Sequence, residues 1–256
     1  MNKIKKIIAK KNKSKIVCLT SYSKNISKIL DKYCDIILVG DSLGNVLYGM
    51  KNTHKVTLQM MIDHALSAKK GCKKSLLVVD MPKGTYKNSK FALKNAKKII
   101  KETKCDAVKI ESNSKNFDII KTLVKSKINV MGHIGYTPQI KKKFKVEGIT
   151  SIEIKRLIDE ANKIESAGAF SIILECISAV ASKKITNHLK IPTIGIGSSS
   201  NCDGQILVTD DILGLSGFYP KFVKRFANIS KIIDKSIRKY KTEVINKKFP
   251  SKKNTF

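Results

Sequence analysis

The chain has 256 residues, 42% of them hydrophobic, with 51 Lys and Arg against 20 Asp and Glu for a formal net charge of +31. That length supports one large domain with its own core, or two small ones, and no run approaches 18 consecutive apolar residues, which excludes a helical membrane span. Only three of the basic residues are arginine (Arg156, Arg225, Arg238). Phosphate and base recognition lean on arginine's planar fork, so lysine spread over the whole chain reads as a compositional bias of solvent-facing positions and disfavours a nucleic-acid partner.

The opening "MNKIKKIIAKKNKSK" is too short in apolar residues for a secretory signal and too poor in Arg and Ser for a transit peptide. Residues 1–14 therefore read as a helix capping the domain. Short apolar runs then alternate with helix-like stretches. The runs are "KIVCLT" (15–20), "DIILVG" (35–40), "SLLVVD" (75–80), "DAVKIE" (106–111), "INVMGH" (128–133), "SIILEC" (171–176), "IPTIGIG" (191–197) and, more weakly, "ILGLSG" (212–217). They lack polar alternation, as parallel strands buried on both faces do.

Between the runs, 57–71 starts at a Thr N-cap and stops at a Gly, 88–103 carries an apolar face through Phe91, Ala96 and Ile100, and 151–168 starts at Ser151 and stops at Gly168. Eight strands separated by helices predict a (β/α)8 TIM barrel as one domain over 1–256. A doubly wound sheet is weaker, because no G-x-G-x-x-G follows the first strand. Further helices are expected over 221–246, and 247–256 reads as a polar, frayed tail. The six cysteines (18, 34, 72, 105, 176 and 202) form no C-x-x-C pair and no zinc spacing with His, so they read as reduced thiols of a cytoplasmic protein.

Barrel active sites lie at the carboxyl ends of the strands. At those ends stand Asp41, Asp80, Lys109 with Glu111, His133 and Glu175. One such group would be an ordinary cap or ion pair. Ionisable groups on five strands at the same end are hard to explain that way, because buried charge is costly unless compensated. Carboxylates without soft ligands suit Mg2+. Lys109 shares the facing of Glu111 by the strand period of two and offers charge to an anion. Glu175, in an apolar setting, suits a general base with a raised pKa. The chemistry these residues suggest is metal-assisted proton abstraction beside a carbonyl. His64 reads as a packing histidine, His188 as solvated, "IGIGSSS" (194–200) as a rim loop, and Asn201 or Asp203 as the cap of a following helix.

"LVGDSLG" (38–44), "VTLQMMIDH" (56–64), "VVDMPKGTY" (78–86), "AVKIE" (107–111), "MGHIGYTPQ" (131–139), "LEC" (174–176), "IPTIGIG" with "CDGQILV" (191–208) and "PKFVKRF" (220–226), in that order, resemble the ketopantoate hydroxymethyltransferase family. The resemblance implies hydroxymethyl transfer from 5,10-methylenetetrahydrofolate to the 2-oxo acid 3-methyl-2-oxobutanoate, in a Mg2+-dependent homo-oligomer, commonly a decamer. It implies Asp41, Asp80 and Glu111 around the metal, and Asp41, Ser42, Asp80, Lys109 and His133 at the substrate. It implies Glu175 as the base that takes the C3 proton. The chain departs from the family pattern at "DMPKG", "GIGSSSN" and the basic segment 141–148. The rival reading is a Mg2+-dependent carbon–carbon lyase or mutase of the phosphoenolpyruvate-mutase kind, which a reactive cysteine in a lid loop would favour. An inactive family member is a further alternative, although every one of these residues is present.

Overall fold

The computed structural model describes residues 2–112, 116–141, 143–217 and 219–256. Met1, in the expected capping helix, and Lys142, in the basic segment 141–148, lie outside the described residues. By internal contacts the chain forms two compact units, residues 1–208 and 209–256.

The first unit is a closed barrel of eight parallel strands in sequence order. They are β1 (Ile16–Thr20), β2 (Ile36–Val39), β3 (Leu76–Asp80), β4 (Ala107–Glu111), β5 (Val130–Gly135), β6 (Ser171–Glu175), β7 (Thr193–Ile196) and β8 (Gly204–Leu207). Helices α1 (Lys3–Ile8), α2 (Lys24–Leu30), α3 (Leu43–Val46), α4 (Leu58–Gly71), α5 (Ser89–Thr103), α6 (Phe117–Lys125), α7 (Ser151–Ser166) and α8 (Ala179–His188) complete the unit. This is the (β/α)8 architecture expected from the runs.

The strand period of two sorts the core into two layers. Ile37, Val39, Leu77, Val79, Val108 and Ile110 face outward and pack under the helices with Met61, Ile62 and Ala96. Ile36, Leu38, Leu76, Val78, Ala107 and Ile194 belong to a second cluster that fills the barrel. The same cluster contains Ile4 and Ile7 of α1, so the amino-terminal helix plugs the barrel, with Asn2 as its cap, but it ends at Ile8 and residues 9–14, expected to belong to it, form turns and a bend.

Helix starts follow their caps. Thr57 accepts from the Met60 N–H and Asn88 from the Phe91 N–H. Two sequence expectations need correcting here. Helix α7 is capped by Thr150, not Ser151, because Thr150 and Glu153 form a reciprocal capping box. The eighth strand is Gly204–Leu207, not 212–217. Gly204 pairs with Ile16 and Ile194, and a Cβ there would lie 2.5 Å from the Ile16 carbonyl oxygen. Only a glycine lets the barrel close at that point.

Asp203 accordingly caps no helix. Its carboxylate accepts from the Thr193 N–H, the Asn12 N–H and Lys11 Nζ, joining β7 to the segment after α1. Asn201 caps none either, and its amide donates to Ser199 Oγ.

In the second unit, Thr209–Ile212 is a single helical turn (α9), and a 17-residue helix, α10 (Ile229–Ile245), follows. Residues 221–228 are not helical, so the helix expected over 221–246 begins at 229. Within the tail, Lys252–Asn254 makes one 3-10 turn capped by Ser251.

Helix α4 ends where it crosses α2. A Cβ at Gly71 would stand 2.2 Å from the Lys24 carbonyl oxygen and 2.7 Å from the Lys28 nitrogen, both backbone atoms of α2. Backbone cannot yield as a side chain can, so Gly71→Ala is expected to cost about 2–3 kcal/mol. The shift of the urea unfolding midpoint measures it, and an unchanged midpoint would show that α2 and α4 can move apart freely.

Candidate active site

The period that makes Leu76 and Val78 fill the barrel also turns Asp80 inward on β3. On β4 it turns Lys109 and Glu111 inward above Ala107, on β5 His133 above Met131, and on β6 Glu175 above Ile173. Register places these side chains beside one another, with Asp80 opposite Lys109 and Glu111 opposite His133. Asp41 comes from the turn after β2. Each inward face therefore changes from apolar at the plugged end to ionisable at the carboxyl end. Asp41, Asp80, Lys109, Glu111 and His133 are all at most 6% exposed.

The structure brings together the residues singled out from sequence, and hydrogen bonds define their relations. Lys109 Nζ donates to both oxygens of Asp80 at 2.7 Å. The Asp41 N–H points at Asp80 Oδ2 from 3.4 Å. His133 Nε2 lies 3.2 Å from Glu175 Oε2, and its Nδ1 lies 3.8 Å from Glu111 Oε1. Neither contact has the alignment of a hydrogen bond, so both ring nitrogens are buried without a protein partner. Ser42 shares a 2.9 Å hydrogen bond with the Tyr22 hydroxyl.

Burial dominates the electrostatics. It raises the Asp80 carboxyl above the usual range, against the pull of Lys109. Burial alone would favour loss of the Lys109 proton, but the charges of Asp80, Asp41 and Glu111 outweigh it and its pKa is raised. Burial likewise pushes Glu111 well above the carboxylate range. It raises Glu175 to about 7, with Lys109 opposing. His133 is pushed well below its ordinary value by burial and by Lys109, and is a neutral imidazole.

Sequence reasoning missed Gln139. It is 2% exposed and sits at the centre of the site. Its side-chain amide donates to Asp41 Oδ2 (2.9 Å) and the Met81 carbonyl (3.1 Å), its backbone N–H donates to Glu111 Oε2 (3.0 Å), and its amide oxygen accepts from the Tyr86 hydroxyl (2.6 Å). It stands in the quoted "TPQ" string. An uncharged side chain in a loop gives no period or charge signal by which to single it out.

The donor set suits a hard cation. The Asp41 backbone N–H points at Asp80, and the Asp41 charge adds to the raising of the Asp80 carboxyl, so the two acids are neighbours in one enclosed space, whereas no group of three His, Cys, Asp or Glu side chains among the described residues stands at ligand spacing. Two carboxylates completed by water and substrate are what Mg2+ ordinarily takes. The six cysteines are buried, and none forms the exposed lid thiol that the lyase reading requires.

A parallel barrel plugged at one end, with paired acids, a lysine and a neutral histidine enclosed at the other, belongs to the class of (β/α)8 enzymes that work on small molecules at the carboxyl rim. The ketopantoate hydroxymethyltransferase profile matches residues 1–252. The 3-methyl-2-oxobutanoate hydroxymethyltransferase of Pelagibacter ubique (strain HTCC1062) is 55% identical over 254 residues, covering 99% of each chain. That of Anaplasma marginale (strain St. Maries) is 45% identical over 253 residues, covering 98% of this chain and 91% of its own. The chain belongs to the ketopantoate hydroxymethyltransferase family. Among solved structures, a phosphonopyruvate hydrolase complexed with oxalate and Mg++ aligns with a TM-score of 0.68 at 10% identity, over 99% of this chain and 93% of its own. An oxaloacetate acetylhydrolase with oxalate aligns with a TM-score of 0.62 at 12% identity, over 82% and 81%. Those likenesses establish the shared barrel and nothing finer.

Lys109→Met would leave Asp80 buried without its cation. The expected loss of stability is about 3–5 kcal/mol. The folded-state pKa of Asp80 would then stand far above its unfolded value. Burial already raises the parent's Asp80 to about 7, so the deficit is small at acid pH, where the carboxyl is neutral in both folded proteins, and opens above about 7, where the parent's carboxylate ionises beside Lys109 and the variant's stays protonated. Urea unfolding of the variant and the parent across the pH range checks this, and a pH-independent deficit would contradict it.

Proposed function

We propose that the chain converts 3-methyl-2-oxobutanoate to 2-dehydropantoate, with 5,10-methylenetetrahydrofolate as one-carbon donor and Mg2+ held by Asp41 and Asp80, with Glu111 beside them. The observation that carries this reading is the whole-length relationship to curated 3-methyl-2-oxobutanoate hydroxymethyltransferases at 43–55% identity. The sequence relationship does not favour the lyase alternative, which rests on the fold alone. A surface whose basic charge is almost all lysine gives no support to nucleic-acid binding.

The site's own residues suit each task in the reaction. Glu175 is the proposed base. With a pKa near 7 it is both substantially ionised at neutral pH and basic enough to accept the C3 proton. His133, neutral and 3.2 Å away, has both ring nitrogens without a protein partner and so available to substrate. Lys109 is the cation for the 2-oxo acid, able to shift part of its donation from Asp80 to an incoming carboxylate. Ser42, held by Tyr22, is a hydroxyl contact for the same group. When bound, a divalent cation withdraws electron density from the keto group and acidifies the adjacent C–H.

The C3–H bond breaks with its proton on Glu175, and its electron pair forms the new bond to the one-carbon unit. Both C–N bonds of the methylene unit break: each folate nitrogen leaves carrying a proton, one derived from the substrate C3–H and one from water, and the same water supplies the hydroxyl of the product. A homo-oligomer, up to a decamer, and a cytoplasmic location belong to the same reading. Ile232, Ile237 and Tyr240 of α10, all exposed, supply apolar surface for assembly.

Glu175→Gln is expected to abolish exchange of the C3 proton of 3-methyl-2-oxobutanoate with D2O, while Mg2+-dependent binding of the oxo acid persists. In the parent, exchange requires the carboxylate, so its rate rises with pH through about 7 and levels above it. NMR of the C3 proton follows both. Retained exchange in the variant would remove Glu175 as the base.

A further inference from the structure

Beyond Asp80 the chain passes through buried Met81 and Pro82 and surfaces at Lys83, in the loop between β3 and α5. His54 meets it there, from the 3-10 turn Thr53–Lys55. Lys83 Nζ stands 3.2 Å from each ring nitrogen of His54, and His54 Nε2 is 3.0 Å from the Pro138 carbonyl. A carbonyl only accepts, so Nε2 carries the hydrogen toward Pro138, and the equal distances set the ammonium against the imidazole ring. His54 thus braces Lys83 by contact with its ring. No carboxylate among the described residues lies within ion-pair distance of Lys83, in contrast to the paired Lys10, Lys11 and Lys109. Pro138 directly precedes Gln139, which binds Asp41 and Glu111. The braced, exposed cation is therefore tied through His54 and Pro138 to the loop that carries Gln139.

We propose that Lys83, held by His54, is a binding site for the glutamate carboxylates of the folate donor, and that it sets preference for donors with longer glutamate tails. The proposal rests on the hydroxymethyl-transfer reading. The donor carries its one-carbon unit at the pterin end and its carboxylates at the other. With the reacting end at the buried acids and the opposite barrel end plugged by α1, the glutamate end leaves through the mouth, where a cation without a carboxylate partner among the described residues meets it.

The test compares mono- and triglutamyl 5,10-methylenetetrahydrofolate with the full-length enzyme. Lys83→Ala is expected to raise KM for the triglutamyl donor about five- to tenfold, the size of one or two solvent-exposed charge contacts. It is also expected to erase the parent's preference for that donor while leaving KM for the oxo acid within about twofold. Lys83→Arg retains the preference, and His54→Ala loses part of it. Unchanged donor KM and unchanged preference in Lys83→Ala overturn the proposal. If the parent shows neither turnover nor C3-proton exchange, the hydroxymethyl-transfer reading fails instead. Calorimetric titration with tetrahydropteroyltriglutamate needs no turnover. Weaker binding to Lys83→Ala than to the parent sustains the site, and equal affinities overturn it whatever the kinetics give.

Discussion

The ion pair between Lys109 and Asp80 is the contact that lets the upper barrel be built of charge. Asp80, Glu111 and Asp41 are enclosed within one space, and each carboxylate removed from water is costly unless a cation or a donor meets it. Lys109 is the one lysine buried among the described residues, and it has two bonds to Asp80 and the fields of Asp41 and Glu111 around it. Its raised pKa and the raised carboxyls are two aspects of one balance, in which the protein holds more negative groups than one ammonium can neutralise. A site with that surplus is ready to accept a further cation and, with it, an anionic substrate.

The barrel supplies this site through its simplest regularity. A parallel strand buried on both faces needs apolar groups outward along its whole length, where helices cover it, but inward only as far as the interior must be filled. Helix α1 fills the lower mouth with Ile4 and Ile7, so the inward positions nearest it are Ile16, Ile36 and Leu76. Two or four residues further along the same faces, the requirement for bulk ends and Asp80, Lys109 and Glu175 take over. The helix layer stays uninterrupted behind them, so the backbone that holds the acids remains rigid although its inner side chains are polar.

That regularity explains what was legible in the sequence. Val- and Ile-rich runs ending in acids marked both seven of the strands and the ionisable groups that cluster at their carboxyl ends, because period and charge can each be read without coordinates. The eighth strand was not legible. Gly204 and Gln205 carry no apolar signal, and β8 is held by close backbone approach to Ile16 and Ile194 rather than by side-chain bulk. Thr150 was missed as a cap because Ser151 and Thr150 are equivalent in type, and only the Glu153 return bond distinguishes them. Gln139 and Tyr86 were missed because they act through hydrogen-bond geometry across elements distant in sequence.

Gln139 also shows why a neutral residue belongs at the centre of so many charges. The Met81 carbonyl and the Asp41 carboxylate need donors, and the Tyr86 hydroxyl needs an acceptor. A primary amide offers two donors and an acceptor from a single planar group. An acid in its place would face Asp41 with like charge. A lysine would neutralise the carboxylates and leave them no capacity for a metal. The amide fixes Asp41 while leaving its charge intact, and its backbone N–H does the same for Glu111. The loop after β5 thus closes over the site by satisfying hydrogen bonds without cancelling the negative potential on which the proposed chemistry depends.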